Sequence, residues 1–118
     1  MMNQDQKINY LELPARDLKA AEKFYKATFG WQFVWYGDEY LAFNDGTIDG
    51  GFFKAPLSSS TANGAALIVL YAKKLEPTRD AVLDNGATLV KDIFSFPGGR
   101  RFHFADPNGN ELAVWSDS

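Results

Sequence analysis

The chain has 118 residues and a formal net charge of −3, and 46% of its residues are hydrophobic and 15% aromatic. This length suits one domain with a sizeable core, and the acidic balance argues against a nucleic-acid-binding surface. Cysteine is absent, which excludes disulfides and thiolate chemistry, and no apolar stretch approaches the roughly 20 residues of a membrane span. The polar start, MMNQDQK, differs from a signal peptide, so we expect a cytoplasmic protein with no membrane partner.

The first half of the chain predicts a strand, a helix and three further strands. Residues 7–13 (KINYLEL) alternate as in a half-buried strand, which Pro14 is expected to end. Asp17 is a suitable N-cap for the helix LKAAEKFYKATF, and Gly30 suits the left-handed residue that follows a helix. The segments WQFVWY, YLAFN and IDGGFFK predict three short strands separated by turn residues. Residues 7–54 therefore form a first βαβββ module.

The second half repeats this order after a linker. Residues 55–64 are rich in Ser, Ala, Pro and Gly and predict the linker. The strand AALIVLY, the helix LEPTRDAVLDNG and the strands ATLVKDIF, RRFHFA and NELAVW follow, and the turn residues DPNG separate the last two strands. Residues 65–116 therefore form a second βαβββ module, and the two modules together make a single domain.

Three motifs carry a resemblance to a known family. LPARDL opens the first helix, FYKATFGW closes it, and DPNGN leads into the last strand. With the paired modules, they resemble the vicinal oxygen chelate superfamily, which includes glyoxalase I, extradiol dioxygenases and bleomycin-resistance proteins. The resemblance implies an α+β fold in which the two modules form a half-open curled sheet around a concave cavity. It also implies a homodimer, and the linker permits either side-by-side or module-swapped packing.

Strand alternation assigns side chains to the two faces of each sheet. In the first strand, we expect Leu11 and Leu13 to pack on the helix, whereas Tyr10 and Glu12 face the cavity. In the last two strands, Phe102, Phe104, Leu112 and Val114 are expected to pack on a helix. The cavity side of these strands then carries Arg101, His103, Ala105, Glu111, Ala113 and Trp115.

The resemblance also implies where a metal ion would be bound. The ligand positions of the metal-dependent members correspond to Tyr10, Leu67, Ala113 and a residue near Phe52 in this sequence. None of these side chains supplies the imidazole or carboxylate group that such an ion prefers, and the chain has one histidine. Glu111 lies two residues from the expected ligand position and close to the turn. We therefore expect no metal site and no cofactor.

Two functions remain open on the sequence. The first is a binding protein that holds a small organic ligand in the cavity. Arg101 would bind a carboxylate or phosphate, or remain a solvated loop residue, and Tyr10 and Trp115 would stack on a flat ligand or only fill space. Further contacts are expected from Glu111 and Phe52.

The second function is that of an enzyme. A metal-independent lyase or isomerase related to glyoxalase would use Glu12 and His103 as general acid and base. The alternative for these two residues is that they only satisfy each other's hydrogen bonds, or those of backbone groups, inside the cavity.

Overall fold

The computed structural model describes residues 3–118, which form two compact units, one ending at Leu57 and the other starting at Ser58. The first unit contains β1 (Tyr10–Ala15), α1 (Leu18–Phe29), β2 (Gln32–Trp35), β3 (Tyr40–Asn44) and β4 (Asp49–Lys54). The second unit contains a short 3-10 helix (Thr61–Asn63), β5 (Ile68–Tyr71), α2 (Leu75–Asp84), β6 (Thr88–Phe96), β7 (Gly99–Ala105) and β8 (Glu111–Ser116). Within the described residues, neither α-helix combines the length and the apolar character that crossing a membrane requires.

The two units share one sheet topology. Their strand orders are β1-β4-β3-β2 and β5-β8-β7-β6. In each sheet the first and last strands of the unit pair in parallel, and the other neighbours pair antiparallel. Eight strands in two four-stranded sheets, with one α-helix per unit, confirm the predicted α+β fold and the repeated βαβββ order.

Helix α1 lies where the sequence predicted it because both of its ends are capped. The Asp17 side chain accepts a hydrogen bond from the backbone N–H of Ala20 at 3.0 Å. At the other end, Gly30 has φ of 71°, and its N–H bonds to the Lys26 carbonyl. A side chain with a Cβ adopts this left-handed conformation only at a cost, so glycine ends the helix cleanly.

Strand β1 differs from the prediction at its C-terminal end. It was expected to end at Pro14, yet it continues through Pro14 to Ala15 in parallel register with β4. Among the residues that the structure describes, β1 is the edge strand of its sheet and pairs on one side with β4, so a proline whose nitrogen faces the other side removes no ladder hydrogen bond. Proline is therefore compatible with this strand.

The segment predicted as a linker is partly fixed to the second unit. The backbone N–H of Ser59 donates to the Asn110 side-chain oxygen, and the Glu111 N–H donates to the Ser59 carbonyl, both at 2.8 Å. The N–H of Ala65 bonds to the Ser60 carbonyl, so residue 65 belongs to the turn after the 3-10 helix. Strand β5 accordingly starts at Ile68, three residues later than predicted.

Each unit has an aromatic or aliphatic core between its helix and one face of its sheet. In the first unit, Trp31 stacks between Tyr25 and Phe43, with ring centroids at 4.5 and 4.7 Å. In the second unit, the fully buried large apolar side chains are Leu75, Val82, Phe102, Phe104, Leu112 and Val114. The opposite face of each sheet carries the remaining strand side chains, some exposed and some buried, and it is called the open face below.

Candidate ligand-binding faces

The open face of the first sheet brings Tyr10 and Glu12 together with Tyr40. In the parallel register, Tyr10 lies opposite Asp49 and Glu12 opposite Gly51. The hydroxyls of Tyr10 and Tyr40 are 2.6 Å apart, and the Tyr40 hydroxyl donates to Glu12 Oε2 at 2.9 Å. Tyr10 is 43% exposed, so this hydrogen-bonded chain meets solvent.

Tyr40 is the residue of this group that the sequence did not indicate. Burial first, then hydrogen bonds to Tyr10 and Glu12, raise the pKa of the Tyr40 phenol above its usual value of 10.0. Its ring lies over Gly51, where an added Cβ would overlap the ring. The close approach of an aromatic ring to the glycine of IDGGFFK is a signal that strand alternation alone does not reveal.

The open face of the second sheet carries Arg101 and His103. Arg101 lies opposite Trp115 and His103 opposite Ala113 in the β7–β8 register, so all four point to the same side. Phe102, Phe104, Leu112 and Val114 occupy the other side and are fully buried. The predicted alternation in β7 and β8 is therefore correct.

A chain of hydrogen bonds crosses this face from Arg101 to Thr61. Arg101 Nε and Nη2 lie 3.1 and 2.8 Å from His103 Nε2, and His103 Nδ1 lies 2.9 Å from Glu111 Oε2. The other Glu111 oxygen, Oε1, accepts from the N–H and the hydroxyl of Thr61 at 3.0 and 2.7 Å. His103 and Glu111 are buried, whereas Arg101 is half-buried.

The direction of these bonds fixes the proton of His103. A guanidinium group can only donate, so His103 Nε2 must accept and therefore carries no proton. The ring proton then lies on Nδ1, where it is donated to Glu111. His103 thus lies between the Arg101 guanidinium and the Glu111 carboxylate.

Glu111 is a buried carboxylate whose charged form is stabilised. Burial by itself raises the pKa of Glu111, but the hydrogen bonds from His103 and Thr61 outweigh burial and leave the pKa below its usual value of 4.5. With three donors on its two oxygens, Glu111 orients His103 and fixes the 3-10 helix to β8. Both of its carboxylate oxygens therefore have partners within the second unit.

Aromatic rings surround Arg101. Its guanidinium carbon lies 5.6 Å from the Phe94 ring centroid and 6.0 Å from that of Phe96, both within cation–π range. Phe96 contacts Trp115 at 6.2 Å, and Trp115 contacts Tyr71 at 5.2 Å. Sequence reasoning did not indicate the rings of Phe94, Phe96 and Tyr71. Register shifts in β6 place Phe94 and Phe96 beside β7 in a way that periodicity does not show, and Tyr71 of β5 lies opposite Trp115 of β8.

Phe52 does not lie on an open face. It is fully buried, and its ring packs 5.4 Å from Tyr25 and 5.3 Å from Phe43 on the helix side of the first sheet. The ligand contact expected at Phe52 is therefore wrong. In the register of β1 and β4, Gly51 is the residue that lies opposite Glu12 on the open face.

Glu12 and His103 have separate partners. Glu12 belongs to the first unit and accepts from Tyr40, whereas His103 belongs to the second and bonds to Arg101 and Glu111. The carboxylate that orients His103 is thus Glu111, rather than Glu12 as the sequence suggested.

The donor set of this chain does not suit the metal ion that the resemblance implies. The implied positions carry the phenol of Tyr10 and the hydrocarbon side chains of Leu67, Phe52 and Ala113, and Ala113 and Phe52 are fully buried. Within residues 3–118, no group of three His, Cys, Asp or Glu side chains is arranged to hold a metal ion. The one imidazole has both ring nitrogens engaged by Arg101 and Glu111.

A separate cleft of about 420 Å³ lies beside the start of α1. Its lining includes Arg16, Lys19, Trp35, Asp38 and Lys54. None of the predicted site residues lines it, and Arg16 donates to the Pro56 carbonyl at 3.1 Å.

Comparison with known proteins agrees with the topology. Residues 7–114 match the family model of the Glyoxalase/Bleomycin resistance protein/Dioxygenase superfamily, and the chain belongs to this superfamily. No curated protein matches the chain significantly.

Solved structures share the fold at low sequence identity. A glyoxalase-related enzyme from Fulvimarina pelagi is 18% identical with a TM-score of 0.78, over 94% of this chain and 88% of that chain. A glyoxalase/bleomycin resistance protein/dioxygenase family enzyme from Burkholderia phytofirmans PsJN is 17% identical with a TM-score of 0.77, over 93% and 98%. A fosfomycin resistance protein from Listeria monocytogenes, solved with Mn(II) and 1S,2S-dihydroxypropylphosphonic acid, is 13% identical with a TM-score of 0.79, over 95% and 90%.

Proposed function

We propose that this protein binds a small organic anion, without a metal ion, on the open face of the second sheet. The observation that carries the proposal is the position of Arg101, whose guanidinium is half-buried among aromatic rings while His103 fixes one edge of it. A guanidinium held in this way binds a carboxylate or phosphate with little loss of side-chain entropy.

The donor inventory of Arg101 supports an anionic ligand. Nε and Nη2 bond to His103, and Nη1 makes no hydrogen bond within the described residues. The Nη1 donors are thus available to a ligand. The rings of Phe96 and Trp115 beside the guanidinium provide apolar surface for the body of the ligand.

A thermal-shift experiment with benzoate, phenylphosphonate and benzyl alcohol tests the proposal. We expect the two anions to raise the melting temperature and the neutral alcohol to have no effect, with about 2.7 kcal/mol of stabilisation at a hundredfold excess over Kd. Arg101→Gln should abolish the shift. Arg100→Gln removes the same charge from the neighbouring position, which faces the other side of the sheet, and should retain the shift.

Two results would overturn the proposal. One is the absence of any shift with both anions. The other is an equal loss of the shift in the Arg101→Gln and Arg100→Gln variants, which would indicate a general effect of charge.

An acid–base enzyme is the second candidate function, and one observation favours it. The Glu111 carboxylate orients His103 in the manner of the third group of a catalytic triad. For His103 Nε2 to accept a substrate proton, Arg101 would have to release it. Glu12, the other predicted acid or base, would act from the first sheet. Turnover of a candidate substrate that is lost in Glu111→Gln, with the fold retained, would favour this function.

Metal independence and oligomeric state complete the proposal. The phenol of Tyr10 and the hydrocarbon of Ala113 at two of the implied ligand positions support a metal-free site, and elemental analysis of the purified protein should give well under one equivalent of Zn, Ni, Fe or Mn.

We also propose a cytoplasmic homodimer. The exposed apolar side chains of Val34 and Tyr36 on edge strand β2 and in the turn after it support self-association, which light scattering would test.

A further inference from the structure

We propose that Asn63 is a site of spontaneous covalent modification, at which the side-chain amide is converted to aspartate and isoaspartate. The sequence Asn-Gly occurs three times in the chain, at Asn63, Asn85 and Asn108. Glycine after asparagine favours this reaction, because a residue without a Cβ does not hinder the approach of its backbone nitrogen to the asparagine side chain. The structure gives the three asparagines different surroundings, and those of Asn63 favour the reaction.

The reaction needs two neighbouring residues and water. The backbone nitrogen of Gly64 attacks Cγ of Asn63, and the new N–Cγ bond closes a succinimide ring. The Cγ–Nδ2 bond breaks, and the amide group leaves as ammonia with the proton of the Gly64 nitrogen. Water then opens the ring at one of its two carbonyls, which gives either aspartate or isoaspartate at residue 63.

The side chain of Asn63 is free to adopt the reactive geometry. It is exposed, and within the part of the chain that the structure describes it has no hydrogen-bond partner. By contrast, the side chain of Asn85 donates from Nδ2 to the Ala81 carbonyl at 2.9 Å, which holds it against the end of α2. Asn108 is buried, and its backbone carbonyl accepts from the Ser58 hydroxyl at 2.8 Å.

The backbone at Gly64 also opens at lower cost than the backbone at Gly86. Each glycine N–H must release a hydrogen bond before its nitrogen can react. The Gly64 N–H donates to the Thr61 carbonyl at 3.0 Å, after a 3-10 helix of three residues, none of which is buried. The Gly86 N–H donates to the Leu83 carbonyl at 3.1 Å, at the end of a ten-residue helix whose Val82 is fully buried. A short turn without buried residues opens far more readily than a helix packed into a core.

The modification changes the backbone next to Thr61. In isoaspartate the main chain runs through the former side chain, which adds one carbon between residues 63 and 64. The hydrogen bonds from Gly64 to Thr61 and from Ala65 to Ser60 both span this point, so the added carbon disrupts the turn that they close. The product therefore loosens the 3-10 helix whose Thr61 donates to Glu111 Oε1.

Trypsin digestion after incubation of the folded protein at mildly alkaline pH tests the proposal. Cleavage after lysine and arginine places each Asn-Gly sequence in its own peptide, at residues 55–73, 80–91 and 102–118. We expect aspartate and isoaspartate to accumulate in peptide 55–73 at least about tenfold faster than in the other two peptides, as chromatography and mass spectrometry measure. In urea, which removes the folded environment, the three rates should lie within about threefold of one another.

Three variants complete the experiment. Asn63→Gln should abolish the product in peptide 55–73, because the longer side chain closes a ring far more slowly. Asn85→Gln is the matched control and should leave the rate in that peptide unchanged. Thr61→Val removes the hydroxyl donor to Glu111 and should raise the rate at Asn63 about fivefold, since one hydrogen bond fewer holds the turn. An unchanged rate in peptide 80–91 of the same sample shows that this variant is folded.

Equal rates in the three peptides of the folded protein would overturn the proposal, as would the first appearance of the products in peptide 80–91 or 102–118. The same ranking of rates in urea as in the folded protein would also overturn it, because the difference would then arise from the sequence alone. An unchanged rate at Asn63 in the Thr61→Val variant would contradict the control of the reaction by the 3-10 turn.

Discussion

The position of one proton distinguishes His103 from an ordinary buried histidine. Arg101 can only donate to Nε2, so the ring proton must lie on Nδ1, although solvent-exposed histidines commonly carry it on Nε2. The groups around the ring determine the tautomer, so the ring nitrogen that carries the proton can be measured as a consequence of the fold.

We predict that ¹⁵N NMR of the single histidine at neutral pH shows the Nδ1-protonated tautomer. Arg101→Gln should reduce the population of this tautomer, because the group that requires Nε2 to accept is removed. Arg100 bonds to Glu76 instead, so Arg100→Gln should leave the pattern unchanged. A spectrum of the wild-type protein with the proton on Nε2 would contradict the assignment.

Phe52 provides a second prediction at the scale of a residue. Because it is fully buried against Tyr25 and Phe43, Phe52→Ala should lower the free energy of unfolding by about 3–5 kcal/mol. Phe94→Ala, at a ring that is 36% exposed, should cost much less. Urea denaturation measures both, and a small loss for Phe52→Ala would restore it as a ligand contact.

At the scale of the element, the predicted ends of α1 are correct because local chemistry defines them. The N-cap and the left-handed glycine act within four residues of the helix end, and a single sequence displays both. The end of β1 could not be predicted in this way. Whether Pro14 stops the strand depends on which side of the strand has a neighbour, and that is a property of the sheet.

The N-cap of α1 gives a test of this distinction. Asp17→Ala should lower the free energy of unfolding by about 1 kcal/mol, because the N–H of Ala20 loses its acceptor. Asp38→Ala, at an exposed turn residue, should change it little. Thermal or urea unfolding of the two variants makes the comparison. Equal losses would show that the cap contributes nothing specific.

At the scale of the whole molecule, the free energy of unfolding should depend on pH, because the fold contains buried and paired carboxylates. The pKa of Glu111 is below 4.5 in the folded protein and normal in the unfolded chain, so the unfolded chain binds the proton more tightly. The contribution of Glu111 is therefore complete above its unfolded pKa and is lost as the pH falls through its folded pKa. Arg100 similarly lowers the pKa of exposed Glu76 to about 2.

A comparison of the wild-type protein with Glu111→Gln separates the contribution of Glu111 to the pH dependence of stability from that of Glu76. The difference in free energy of unfolding between the two proteins should be constant from about pH 7 to about pH 5 and should shrink below about pH 4.5. Urea denaturation across this range measures it. A difference that is unchanged in acid would mean that the charge of Glu111 does not stabilise the fold.

The sequence predicted the module order, the family and the faces of β1, β7 and β8, because a period of two and a repeated element order are visible in one chain. It did not predict that Glu111 orients His103, or that Tyr40 bonds to Glu12. Both contacts join residues on different strands, and their geometry depends on sheet register. The same limitation explains the error at Phe52, where an uncertainty of one residue exchanges the two faces of a strand.

The parallel pairing of β1 with β4, and of β5 with β8, has a consequence for biosynthesis. Ribosomes deliver the chain from its N-terminus, so β1 must wait for β4, its strand partner in the sheet. Such closure of a long loop is slower than hairpin formation. The first sheet can nevertheless be complete once residue 54 has left the exit tunnel, before β5 has emerged from it, so each half of the chain can fold in its turn.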